Sequence, residues 1–214
     1  MTFKDRFDHS IEMQQAHALE YYKDFFDVER VIEVDILGES NRDMKVLDFS
    51  GIDKLIITKN KITIHIAQRF RRDYNKNGEW RTPDFSLRFK SYSDTITEYE
   101  KVKKAHYGLA SMPTVYGFGR MPYGRKVAIE NGFDEFYLIN LEALASAHFD
   151  GPLSAEGPKP NGDGSKGLYF DLDDLRQHGC IIHEWPERKS NLQTPQPTKQ
   201  EREKITSWSV TNES

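Results

Sequence analysis

The stretch GIDKLIITKNKITIHIAQRFRR, residues 51–72, holds the side-chain types that phosphate chemistry needs. Asp53 opens one apolar run, and a second apolar run ends in Gln68, Arg69, Arg71 and Arg72. Phosphodiester hydrolysis by a metal requires carboxylate or amide oxygens to hold Mg²⁺ and a cation beside the scissile phosphate. Asp53, Gln68 and Arg69 offer those types on two runs that the pattern predicts to be adjacent strands. Regular alternation would turn Ile62, Ile64, Ile66, Gln68 and Phe70 one way, and Thr63, His65, Ala67, Arg69 and Arg71 the other. Spacing alone favours a plainer reading, in which Asp53 is a turn acid after Gly51 and the arginines form a solvated rim.

The elements that must position these residues follow from periodicity. Residues 10–26 carry Ile11, Ala18, Tyr21, Tyr22, Phe25 and Phe26 at helical spacing, with Ser10 placed to cap. Residues 28–37 alternate as a strand. The chemical stretch itself reads as a hairpin turning at Lys59-Asn60. DFSLRF (84–89) predicts a further strand, and the sheet to this point is expected to be antiparallel. Residues 95–110 predict a helix with capping-box spacing between Thr95 and Glu98. PTVYGFGRM and FDEFYLINL predict two more strands, the second running into a short helix capped by Asn140. Residues 151–168 read as a loop from their glycines and prolines. A last short helix is expected between Asp171 as cap and Gly179 as stop. The expected organisation is one α/β domain over residues 1–186 and a polar tail over 187–214, in which ITSWSV can add an edge strand.

Composition bounds the partners. The 214-residue chain has no run of 18 or more apolar residues and a charged N-terminus without an apolar leader, so a soluble cytoplasmic protein is expected. Its single cysteine, Cys180, excludes an internal disulfide. The net charge of −4 conceals segregation: residues 54–126 hold 16 Lys/Arg against six acids, while the remainder holds 14 against 28. A basic face on an acidic body would steer a polyanion, although folding can equally spread such a bias over the surface. His178, Cys180 and His183 invite a zinc reading, but Ile181 and Ile182 between them favour a buried strand. His65 is a candidate base by position, and Lys101, Lys103, Lys104 and His106 a candidate phosphate track.

Gly51-Ile52-Asp53, followed by the strand ending Ile66-Ala67-Gln68-Arg69-Phe70-Arg71-Arg72, resembles the PD-(D/E)xK nuclease superfamily, particularly its small phage-type members. The resemblance continues through Asp84-Phe85-Ser86-Leu87-Arg88, Thr97-Glu98-Tyr99-Glu100-Lys101-Val102, Thr114-Val115-Tyr116-Gly117-Phe118 and Phe136-Tyr137-Leu138-Ile139-Asn140-Leu141. It implies an α/β fold with a restriction-endonuclease-like core, a single mixed β-sheet flanked by helices. It also implies a DNA partner, Mg²⁺ or Mn²⁺ as cofactor, and endonuclease activity, in the host cytoplasm if the source is viral. Asp53 matches the family's metal-binding aspartate, Gln68 or Ala67 the position of its second acid, and Arg69 the position of its lysine. Glu20 is similar in position to a helical glutamate that serves some members as an extra ligand. Arg71, Arg72, Arg88 and Lys101 would contact the nucleic-acid backbone. The chain departs from the pattern in lacking the second acid and in replacing lysine by arginine, which cannot readily lose a proton to activate water. A catalytically inactive binding protein on the same scaffold, acting on nucleic acid or on a protein partner, is therefore the rival expectation; whether the protein is a dimer is open.

Overall fold

The computed structural model describes residues 17–34, 51–71, 84–90, 96–110, 112–121, 132–160 and 164–186. Helix α1 (Leu19–Phe25) leads into strand β1 (Val28–Glu33). Strands β2 (Lys54–Thr58) and β3 (Thr63–Arg71) form the expected hairpin. At its tip Lys61 adopts a left-handed φ of 64°, and the Thr58 N–H donates to the Ile62 carbonyl at 2.9 Å. Lys59 and Lys61 reach back to Asp27 and Glu29, each at 2.6 Å, pinning the tip to β1.

After β4 (Phe85–Lys90) and helix α2 (Glu98–His106), the chain returns to the sheet as β5 (Val115–Arg120). It continues through β6 (Glu135–Asn140), α3 (Leu141–Phe149), β7 (Glu156–Pro160), β8 (Lys166–Phe170), α4 (Leu172–Gln177) and β9 (Ile181–Trp185). Six strands form one mixed sheet in the order β1-β2-β3-β5-β6-β9. The hairpin expectation of antiparallel pairing holds for β1, β2 and β3, whereas β3 and β5 run parallel with Ile66 opposite Val115 and Arg71 opposite Arg120. A parallel pair needs a long crossover, and β4 with α2 provides it. Asn140 and Asp171 cap α3 and α4 as expected, each accepting two backbone N–H groups.

The expectation of a single sheet is corrected. Strand β4 leaves the main sheet and joins β8 and β7 in a second, three-stranded antiparallel sheet. Residues 151–168, expected as a loop, supply β7 and the start of β8. The glycines and prolines there have a place because β7 is an exposed edge strand, where a missing N–H costs no ladder bond. Its partner β8 buries Leu168, Tyr169 and Phe170 and carries the packing.

The main sheet has two apolar faces. Ile56, Ile64, Ile66, Phe70, Phe136 and Leu138 pack with Ala18, Tyr22 and Phe26 on the α1 side. Ala67, Tyr116, Phe118, Tyr137 and Ile139 pack on the other side against β4, β8, Val102 of α2 and the apolar residues of α3 and α4. Strand alternation thus divides β3 and β5 between two cores. Strand β5 crosses the α1 core with Gly117 and Gly119, because the space is taken. A Cβ at Gly117 would lie 2.3 Å from the Tyr22 hydroxyl, and one at Gly119 2.6 Å from the Phe133 ring and 2.9 Å from that of Phe70. Among the described residues no helix is long and apolar enough to cross a membrane. The tail, residues 187–214, lies outside the described residues.

Rings at Gly119 cannot swing away as a flexible chain end would. Gly119→Ala is therefore expected to cost about 1–3 kcal/mol through overpacking, read as a lower midpoint in urea unfolding with an unchanged slope.

Candidate functional site

A cleft of about 280 Å³ opens where the Gly51 turn, β3, β4 and α2 meet; it is lined by Gly51, Asp53, Ala67, Gln68, Arg69, Arg88, Ile96, Thr97, Glu98, Lys101 and Tyr116. It sits on the α2 side of the main sheet. Asp53 precedes β2, held by its own N–H on the Ile66 carbonyl at 2.8 Å and by its carbonyl accepting the Val34 N–H at 2.9 Å. Its Oδ2 accepts the backbone N–H of Gln68 at 2.6 Å. The acid thus lies against the edge of β3 at the point where the sequence expected chemistry.

Arg69 extends from β3 into this space and pairs with Glu98. The other oxygen of Glu98, Oε2, accepts the backbone N–H of Arg88 at 2.8 Å. Burial works against the Arg69 charge, but Glu98, with help from Tyr116 and Asp53, more than offsets it and holds the guanidinium firmly protonated. Lys101 stands one helical turn beyond Glu98 and passes over Gly51: a Cβ there would be 3.4 Å from the Lys101 ammonium. With φ at +84°, Gly51 also needs the left-handed conformation that glycine adopts without penalty. Tyr116, only 3% exposed, lies deep in the cleft beside Ala67. Burial raises its hydroxyl pKa, Arg69 opposes that, and Glu98 and Asp53 reinforce it, so the group is a neutral donor.

Helix α2 begins so that Glu98 can do this. Two Thr-x-x-Glu pairs overlap in the sequence, Thr95 with Glu98 and Thr97 with Glu100. The structure uses the second: Thr97 accepts the Glu100 N–H at 3.3 Å and the Glu100 carboxylate accepts the Thr97 N–H at 2.9 Å. That backbone bond holds the Glu100 carboxyl below its usual range. Glu98 is released from capping and turns to the sheet. Sequence reasoning missed it as a site residue, and the overlapping pair was the available signal.

The expected site residues are therefore gathered in part. Asp53, Arg69, Arg88 and Lys101 line one cleft. Gln68 contributes its backbone there, but its side chain faces α1, where Oε1 accepts the Tyr22 hydroxyl at 3.0 Å. Strand alternation forces this, since Arg69 takes the opposite face. Glu20 is exposed on α1, two positions and so about 200° around the helix from the inward-facing Tyr22. Arg71 lies over the Tyr169 ring at 5.4 Å, outside the cleft lining. Arg72 lies outside the described residues. Lys103 and Lys104 are exposed beyond the cleft, and His106 pairs with Asp150 at 2.9 Å. His65 is half-buried, and burial lowers its pKa. His183 packs between Phe25 and Trp185, at 5.1 and 4.1 Å, while Cys180 is buried and its thiol is pushed up to about 11 by burial.

The donor set tests the Mg²⁺ expectation. Mg²⁺ seeks six oxygens in near-octahedral array, usually one or two carboxylates with waters and substrate phosphates. Both Glu98 oxygens are engaged by Arg69 and the Arg88 N–H, one Asp53 oxygen is engaged by Gln68, and the Gln68 amide oxygen is on the far face. Among the described residues no three His, Cys, Asp or Glu side chains are grouped to hold a metal ion. The residues present do not fit the expected ion. What the cleft does offer is cationic and neutral donors to an anion.

Glu98→Gln removes the charge that offsets Arg69 and weakens the acceptor for the Arg88 N–H. A loss of about 1.5–3 kcal/mol is expected in urea unfolding, the range of hydrogen bonds to charged groups. His65, with a folded pKa below its unfolded one, binds a proton more readily when unfolded. Its contribution is fully present above the unfolded pKa of about 6.5 and falls as pH drops below it. The stability of His65→Gln should accordingly decline less than that of the parent from pH 7 to pH 5, measured by urea titration at each pH.

In comparison with known proteins, no family model, no curated protein and no solved structure matches the chain.

Proposed function

We propose that this chain is a nucleic-acid-binding protein built on a PD-(D/E)xK-like, restriction-endonuclease-like scaffold, in which the cleft grips backbone phosphate without a metal-dependent cut. The observation that carries the reading is the convergence of Arg69, Arg88 and Lys101, from three separate elements, on one 280 Å³ concavity. Charged donors held by a rigid sheet and a capped helix meet an anion with little reorganisation, and Arg presents its donors in a planar fork suited to phosphate. The Arg88 backbone is fixed at the cleft by Glu98. The scaffold assignment rests on the resemblance, whose later segments fall on β3, β4, α2 and β5 and on β6 with the start of α3.

The hydrolytic form of the reading needs further carboxylate or amide oxygens converging beside Asp53. The engagement of Glu98 and the orientation of Gln68 weigh against it. Binding without cleavage is consequently the expected outcome when purified protein meets supercoiled plasmid DNA with Mg²⁺ or Mn²⁺. Fluorescence anisotropy with labelled oligonucleotides should show salt-sensitive binding that Arg88→Ala and Lys101→Ala each weaken about tenfold, Lys101→Ala also lowering the salt slope by about one. Metal-dependent nicking that disappears in Asp53→Ala would overturn the non-catalytic form and restore the nuclease.

A further inference from the structure

We infer that the carboxyl ends of β3 and β5 form a second anion site, where a phosphate group sits against Arg71 beside Arg120. The site lies outside the cleft and is built from other residues. On the α2 face of the main sheet, one register row holds Arg69, Phe118 and Tyr137, and the last row holds Arg71, Arg120 and Glu135. Two cations and one carboxylate thus stand side by side, and like charges directly opposite one another are unfavourable. Arg120 has a counter-ion, since its Nη1 donates to Glu135 Oε2 at 2.7 Å. Arg71 is held by a ring instead. Its guanidinium carbon lies 5.4 Å from the centre of Tyr169, and its buried Nη1 has no hydrogen-bond partner among the described residues. A ring face attracts the charge but leaves that donor without an acceptor, which costs more for a charged group than for a neutral one.

The nearby acids do not fill that role. Burial raises the Asp84 carboxyl, and Asp171 and Glu156 raise it further against the pull of Lys159 and Arg120, the reverse of what close pairing with a guanidinium produces. Glu156 is paired with Lys159, whose ammonium lies 5.7 Å from the same Tyr169 ring, so those two add no net charge. Arg71 is half-buried, which leaves its side chain within reach of an ion from solvent. An oxyanion there would accept from the planar fork and stand between like charges. Arg71 is two residues along β3 from Arg69, about 7 Å, so the phosphate can be a free one or part of a strand that also enters the cleft.

The test titrates inorganic phosphate into the full chain at fixed ionic strength, by calorimetry and by urea unfolding, beside Arg71→Gln and Arg71→Lys, each checked for folding by circular dichroism. Arg71→Gln is expected to bind phosphate at least about tenfold more weakly. Arg71→Lys, which keeps the charge and loses the fork, should fall between. Phosphate should raise the urea midpoint of the parent more than that of Arg71→Gln, because a ligand stabilises only the state that binds it. The salt slope of labelled-oligonucleotide binding then separates the two sources. A slope lower by about one in Arg71→Gln assigns the phosphate to a nucleic-acid strand, and an unchanged slope assigns it to a free phosphate group. A parent that binds phosphate but no oligonucleotide removes the nucleic-acid reading and upholds this site. Equal phosphate affinity in the parent and Arg71→Gln, or none in either, overturns the site and leaves Arg71 a packing residue on Tyr169.

Discussion

Glu98 is the contact on which the site depends, because one carboxylate ties together the polar edges of three elements whose apolar faces share one core. Its Oε1 holds Arg69 of the main sheet, its Oε2 holds the Arg88 N–H of the second sheet, and its backbone begins α2. Partly desolvated ion pairs of this kind contribute little net stability, since the cost of leaving water offsets most of the Coulomb gain. Their value is in specifying arrangement. Glu98 adds to the shared apolar core a polar link between Arg69 and the β4 backbone, beside Lys101 in the same recess.

The second constraint is that β3 serves two cores at once. Ile64, Ile66 and Phe70 belong to the α1 side, while Ala67 and Arg69 belong to the α2 side. Gln68 falls on the α1 side and is drawn into that core by Tyr22, whose hydroxyl is kept neutral by burial and by the nearby charges of Asp53 and Glu33. Buried Lys54 pairs with Glu33 behind the same strand. The polar groups of the hairpin are thereby split. On the α1 side Tyr22 pairs with Gln68 and Lys54 with Glu33, with the Gln68 Nε2 left buried and unpaired, while Asp53 and Arg69 line the cleft.

Much of this was legible from residue types and spacing. The hairpin, the helix caps at Asn140 and Asp171 and the grouping of Asp53 with Arg69 follow from local rules: alternation, turn chemistry and side-chain acceptors for the first N–H groups of a helix. The second sheet was not legible, because an edge strand with the sequence EGPKP looks like a loop when judged by glycine and proline alone. Its existence depends on Leu168, Tyr169 and Phe170 finding the core, a tertiary fact. Glu98 was hidden for a similar reason. Two overlapping caps are equally good locally, and the sheet decides between them by offering Arg69 as a partner. Lys101 was legible as a cation but not as a wall, since its position over Gly51 is set by the angle of α2.

The carboxylates in the recess also shape what it can hold. Asp53 and Glu98 beside Arg69, Arg88 and Lys101 leave a formal charge of only +1, too little to attract a polyanion by field alone. On the proposed reading, attraction at a distance then falls to the wider basic stretch of residues 54–126. Within the recess, an anion must sit where donors point and carboxylates do not, and displacement by even a small distance brings it against Glu98 or Asp53. Such opposed charges discriminate by repelling wrong placements as much as by attracting right ones. A cleft in which acids fix the cations in position therefore trades affinity for geometry.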